Sequence, residues 1–184
     1  MALTESTKGS VLDLVPGRRG HYAFESGYHG DLWLDLDALF ARPGILRPHA
    51  AALADLVRPA HPDVVCGPLL GGAYAAQLVA ESLDAAFAWS TPPSYTVTGD
   101  VSGRRIAIVD DAINAGSAVS ATADTLAAAG GTVVAVAAFL ALGDAPARLA
   151  GVPVDHLATV PSHLWPPPTC PLCAVGSPLD EPPS

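Results

Sequence analysis

The segment RIAIVDDAINAGSA, residues 105–118, constrains this chain more than any other. Its apolar run ends at Val109 and predicts a buried strand over Arg105–Val109 that delivers Asp110 and Asp111 to the carboxyl edge of a sheet. In open α/β sheets that edge is where ligands bind. Ala115-Gly116-Ser117 then turns into a helix expected over Ser117–Ala129. The backbone N–H groups of 113–118 are thereby aimed outward at a helix N-terminus, the usual cradle for phosphate. Gly116 permits close approach, and Ser117 is expected to cap the helix. Two carboxylates beside a phosphate cradle call for a mediator, either sugar hydroxyls or Mg²⁺ with its preference for oxygen. The pattern points to a phosphorylated sugar. The alternative is a strand-end charge pair and helix cap with no ligand.

The rest of the chain supplies a context for that edge. Strands are expected at 63–66, 86–89, 105–109 and 132–140, and helices at 46–57, 73–83 and 117–129. Strands alternating with helices of this length make βαβ units and a parallel sheet. Tyr22–Phe24 and Leu32–Leu36 are short strand candidates in a glycine-rich opening segment, and Ser90–Asp100 reads as a loop. Residues 1–10 read as a mobile tail, and 11–184 as a single domain.

Half of the residues are hydrophobic and 15% are charged, enough for a packed core. A net charge of −9, from 9 basic and 18 acidic residues, excludes a dedicated nucleic-acid binder, which neutralises phosphates with Lys and Arg. No apolar run approaches the ~20 residues of a membrane span. Met1–Ser10 has no apolar stretch of the kind a secretory leader carries, so a cytoplasmic location is expected.

IAIVDDAINAGSA resembles the 5-phosphoribosyl diphosphate (PRPP) signature of type I phosphoribosyltransferases. The resemblance implies that Asp110 and Asp111 hold the ribose hydroxyls. Ala112, Ile113, Asn114, Ala115, Gly116, Ser117 and Ala118 would wrap the 5-phosphate, with Asn114 where the family usually has Thr. VVCGPLLGG, residues 64–72, is similar to the family's diphosphate loop, which assigns Pro68, Leu69, Leu70, Gly71 and Gly72 to the leaving group. GHYAFESGYHGD, residues 20–31, is similar to the N-terminal hood of orotate phosphoribosyltransferases, and CPLC at 170–173 to the tail of some bacterial and archaeal members. Phe24, Ser26, Gly27 and Tyr28 are then candidates for the acceptor base.

The implied architecture is an α/β type I phosphoribosyltransferase core, with a mostly parallel five-stranded sheet. Its hood is built from 11–40 and the C-terminal segment. The implied activity is transfer of phosphoribose from PRPP to a nitrogen base in nucleotide synthesis, with Mg²⁺ as cofactor reaching Asp110 and Asp111 through Mg-PRPP. A homodimer is implied, and no nucleophile or base on the protein is needed.

The chain departs from that family in one direction, loss of positive charge. Ser90–Gly99, at the place of the family's basic mobile loop, holds no Lys or Arg. Glu25 stands where many members have Lys, and Gly143-Asp144 where they have Asp-Arg. Each fixed cation of this kind contributes ~2.7–4 kcal/mol to such a transition state. Slow turnover of orotate is therefore expected. The alternative is a PRPP- or nucleotide-binding regulatory protein with a degenerate transferase site.

Among the remaining candidates, Cys170 and Cys173 offer half of a zinc site, with His163 as a possible third ligand and no visible fourth. A reduced, packed knuckle or a redox-labile pair is the reading preferred here. Cys66, Trp33 and Trp89 are expected in the core. His21 and His29 are expected either to hydrogen-bond within the hood or to contact the acceptor. Arg104-Arg105 is expected as a solvated turn.

Overall fold

The computed structural model describes residues 10–24 and 26–181. The expected mobile tail, Ser10 apart, and the Glu25 substitution lie outside them. Ser10 caps a 3₁₀ turn over Val11–Leu14, its hydroxyl accepting from the Leu12 amide while Asp13 accepts from its own.

The main sheet is built from β3 (Val64–Pro68), β4 (Ala86–Thr91), β6 (Arg105–Ile113), β7 (Thr132–Leu142) and β9 (Val152–Val160), all parallel to their neighbours. Two-residue antiparallel strands close its ends, β5 (Thr96–Val97) on β4 and β8 (Arg148–Leu149) on β9, which brings the order to β5-β4-β3-β6-β7-β9-β8. The expected five-stranded core is therefore five parallel strands within seven. Ser90–Asp100 is not an open loop: Ser90 pairs with Val97 and Thr91 with Thr96, and the Thr98 amide donates to the Trp89 carbonyl at 3.0 Å.

The central strands β3, β6 and β7 are buried on both faces, as a parallel sheet requires. Along β6, Ala107 and Val109 face α1 (Pro43–Val57) and α2 (Gly71–Leu83), while Ile106 and Ile108 face α3 (Ser117–Ala128). Leu46, Leu53 and Val57 of α1 pack in the first layer with Ala75, Ala76 and Val79 of α2; Val119, Ala123 and Leu126 of α3 fill the second. The small residues of α2 let its backbone approach the sheet closely.

A second, three-stranded sheet forms the hood. β1 (Gly17–Ala23) runs antiparallel to β2 (His29–Leu34), and β10 (Leu164–Trp165) pairs with the other edge of β2. The C-terminal segment ties to β1 through the Asp180 amide, which donates to the His21 carbonyl at 2.7 Å, and the Asp180 carboxylate, which accepts from the His21 amide at 2.8 Å. A short helix, α4 (Pro171–Ala174), carries the CPLC element.

Three expectations about side chains are corrected. Trp89 is 36% exposed, because it lies on the solvent side of β4 near the edge, and Trp33 is half-buried in the hood against Phe24 and Tyr22. Arg105 is not merely solvated: its guanidinium donates to the carbonyls of Ala60 and His61 at 2.6 and 3.1 Å, closing the turn after α1.

Candidate active site

Strand β6 runs four residues beyond the expected end at Val109, because the long β7 continues to pair with it as far as Ile113. Pairing with β3 stops at Cys66 and Ile108. Asp110 and Asp111 therefore stand just past the carboxyl end of β3, facing the β3–α2 turn. There the sequence has Gly71 and Gly72. A methyl group on Gly71 would collide with the Asp111 carboxylate, and one on Gly72 would press on Asp110 Oδ1 and the Pro68 ring. A methyl on Gly67 would strike the Gly72 backbone. The glycines are what let the candidate diphosphate loop and the acidic pair meet. The Leu69–Leu70 peptide in this loop is cis.

The acidic pair is unusual electrostatically. Asp110 is 8% exposed and Asp111 half-buried, and neither takes part in an ion pair among the described residues. The Asp111 amide donates to Asp110 Oδ1 at 3.0 Å and the Ala112 amide to Asp111 Oδ1 at 2.7 Å. Burial pushes the Asp110 carboxyl well above its ordinary value, and the neighbouring Asp111 charge adds to this. Burial also raises Asp111. Adjacent carboxyls that resist joint ionisation are poised to accept from hydroxyls or a cation.

Beyond Ile113 the chain turns at Gly116, whose φ of 76° places it in the left-handed region. Gly116 is the N-cap of α3, and Ser117 is its first helical residue with no capping bond, which corrects the expected role of Ser117. The first amides of α3 thus have no side-chain partner and point out of the helix, as a cradle needs.

The cradle faces the hood across a cavity of ≈ 640 Å³ lined by Ser26 and Tyr28 of the hood, Asn114, Ala115 and Ser117 of the cradle, Asp144, and 162–165. An adjoining cavity of ≈ 230 Å³ adds Phe24, Leu34 and Leu142. Phe24 stacks on Trp33, their ring planes 4° apart, and lines this space. Among the described residues no Lys or Arg lines either cavity, and Asp144 contributes a carboxyl group. Gly27 shapes the hood turn, with φ at 80°, but lines neither cavity. Asp110, Asp111 and the 68–72 turn sit beside these cavities rather than in their walls.

Two arginines are engaged elsewhere: Arg19 of β1 pairs with Asp31 at 3.2 Å and Arg148 of β8 bonds the Gly151 carbonyl. His163 also bonds Asp31, at 3.0 Å, and stacks on Trp165, so it is not a partner of the cysteine pair. His21 is buried and turned away from the cavities toward the C-terminal segment. Cys66 lies fully buried on β3, where burial pushes its thiol to about 12, and is inert.

The fold is that of type I phosphoribosyltransferases. The chain superposes on orotate phosphoribosyltransferase from Aeropyrum pernix with a TM-score of 0.65 at 24% identity, covering 78% of this chain and 87% of that one. It superposes on adenine phosphoribosyltransferase from Thermoanaerobacter pseudethanolicus with a TM-score of 0.66 at 17% identity, covering 82% and 98%. No family model matches the sequence. Among curated proteins it is 30% identical over 170 residues to the orotate phosphoribosyltransferase of Heliobacterium modesticaldum, covering 89% of this chain and 88% of the relative. It is 29% identical over 171 residues to that of Thermus thermophilus, covering 88% and 91%. The chain belongs to the orotate phosphoribosyltransferase family within the type I phosphoribosyltransferases, and it is a phosphoribosyltransferase enzyme of the glycosyltransferase class.

Proposed function

We propose that the chain binds PRPP across the β3–α2 turn, the acidic pair and the α3 cradle, and transfers its phosphoribose to a nitrogen base seated under the hood. The observation that carries this reading is the meeting of Asp110 and Asp111 with the Gly71-Gly72 turn at the open end of β6. In it, Asp110 and Asp111 accept from the ribose hydroxyls. The amides of 112–118 hold the 5-phosphate, and those of 68–72 hold the diphosphate. Phe24, Ser26 and Tyr28 form the wall for the base, on a turn that Gly27 shapes.

A buried oxygen pair with no counter-cation among the described residues suits Mg²⁺ arriving with PRPP. That ion supplies charge neutralisation for the departing diphosphate. The protein's own work is positional. The anomeric C–O bond to diphosphate breaks, the base nitrogen forms the new C–N bond from the opposite face and gives up its proton to water or the departing diphosphate, and configuration inverts. Holding both partners in line supplies the rate advantage.

Orotate itself is a poor acceptor in this reading. Its carboxylate would enter a cavity that, among the described residues, offers Asp144 and no guanidinium, and an unpaired buried carboxylate is costly. The same shortage of cations favours the second reading, a PRPP-binding regulatory protein in which transfer is lost. Titration calorimetry with PRPP and Mg²⁺, followed by orotate, uracil and purine bases, tests both. Binding with diphosphate release supports the enzyme; binding without release supports the regulator; no binding removes both. Exposed Leu70 and Tyr74, beside the turn, support a homodimer that buries this face. A cytoplasmic location fits nucleotide synthesis, and no described helix is long and apolar enough to cross a membrane.

A further inference from the structure

The CPLC element takes no part in the proposed transfer, yet the fold gives it partners that are remote in sequence. Cys170 precedes α4 and Cys173 lies within it, while His21 sits on β1 and His29 opens β2. Among the described residues, one donor atom from each of these four lies within 4.8 Å of the others. His21 Nε2 is 3.0 Å from His29 Nδ1, 3.5 Å from Cys170 Sγ and 3.6 Å from Cys173 Sγ. His29 Nδ1 is 3.2 Å from Cys173 Sγ.

Hydrogen bonding does not account for this convergence. The other nitrogen of His21, Nδ1, lies 3.0 Å from the Ser177 carbonyl, which can only accept. Nδ1 therefore carries the proton, and Nε2 presents a single lone pair to the cluster. Three polar atoms crowd that one lone pair. A cation at their centre resolves the crowding, and a backbone carbonyl orienting the far nitrogen is the usual support of a ligating histidine. These N···N and N···S separations lie within about 0.4 Å of those a single ion requires. Tetrahedral zinc, with bonds of about 2.0–2.1 Å to nitrogen and about 2.3 Å to sulfur, needs edges of about 3.6 Å for N···S and about 3.4 Å for N···N.

We propose that His21 Nε2, His29 Nδ1, Cys170 Sγ and Cys173 Sγ form a structural zinc site that staples the hood hairpin to the C-terminal segment. Two thiolates and two neutral imidazoles balance the charge of Zn²⁺ and fill all four positions, so the ion has no open site for chemistry. His21 and His29 flank the turn that carries Phe24, Ser26 and Tyr28, so the ion fixes the base of the wall under which the acceptor would sit. His21 and Cys170 are each 2% exposed, which keeps the inner half of the cluster dry.

The test uses the full chain, purified without a metal-binding tag. Elemental analysis should find one zinc per chain. After chelation under reducing conditions, added Co²⁺ should give the visible ligand-field bands of a tetrahedral site with a thiolate charge-transfer band. Cys173→Ser and His29→Ala, at the exposed and half-buried positions, should lose both signals, while Cys66→Ala keeps them. Chelation should lower the melting temperature of the wild type but not that of Cys173→Ser. Zinc-free protein whose reduced form gives no tetrahedral Co²⁺ spectrum overturns the proposal, as does a Cys170–Cys173 disulfide with no metal uptake after reduction. Metal content is read without PRPP or base, so this result stands apart from that of the transfer assay.

Discussion

Replacing Asp110 by Asn separates the two demands on the acidic pair. The Asn Oδ1 can still accept from the Asp111 amide, as Asp110 Oδ1 does at 3.0 Å, while its NH₂ would face the Asp111 carboxyl. In the wild type, burial raises the Asp110 carboxyl above 3.8, so the folded protein holds a proton that the unfolded chain has released. Stability therefore declines as pH rises from the ordinary carboxylate value to the raised one, and stays low above it. Asn removes that penalty. The gain is about 1 kcal/mol, the usual size for relieving a functional site, and raises the melting temperature by about 2–4 °C at neutral pH. It should shrink toward acid, because the wild-type carboxyl is then protonated. Binding moves the other way. Loss of one charge-assisted bond to a ribose hydroxyl costs about 1.5–3 kcal/mol, or about 10–150-fold in PRPP affinity. Thermal melts between about pH 5 and about pH 8 read the first effect; calorimetry with PRPP and Mg²⁺ reads the second. A variant that melts lower at neutral pH yet binds PRPP as tightly as the wild type refutes the reasoning and makes Asp110 a structural residue.

The other predictions concern the cradle, the cavity, the core and the assembly. Gly116→Ala should cost about 1–2 kcal/mol, since its φ of 76° disfavours a side chain and the new methyl meets the Leu149 side chain at 2.7 Å. PRPP affinity should fall with it, and unchanged melting and binding would count against the cradle. Asp144→Arg places a guanidinium in the wall of the larger cavity and should raise kcat/KM for orotate by about 10²-fold, read in steady state. Phe139→Ala, at a fully buried position of β7, should destabilise by about 3–5 kcal/mol, seen in urea titration. Sedimentation at micromolar concentration should show a dimer that Tyr74→Glu dissociates.

The parts of the fold with strong local signals were legible from sequence. The apolar run of β6, the acids after it and the glycine turn place the cradle by strand polarity alone, and small-residue periodicity marks α2. What was missed depends on distant partners. β9, the fifth parallel strand, reads VPVDHLATV, and its mixture of Pro, Asp and His hides a strand whose faces alternate only partly in burial. β10 is two residues long and exists because β2 offers an edge. The overrun of β6 was set by the length of β7, not by its own residues. His163 looked like the third ligand of the cysteine pair because it is close in sequence. The hood instead brings His21 and His29 there, across roughly 150 residues, through pairing with the C-terminal segment. The C-x-x-C spacing gives half of that cluster, and the pair of histidines flanking the hood turn is the sequence signal for the other half.

The central claim is phosphoribosyl transfer from PRPP, and it is tested most directly by following diphosphate release with Mg²⁺ and a panel of orotate, uracil and purine bases. Base-dependent diphosphate release is expected, suppressed by Asp110→Asn, with orotate far slower than ~10 per second, the median turnover of enzymes. No release with any base, from protein that melts cooperatively and fails to bind PRPP, would contradict it.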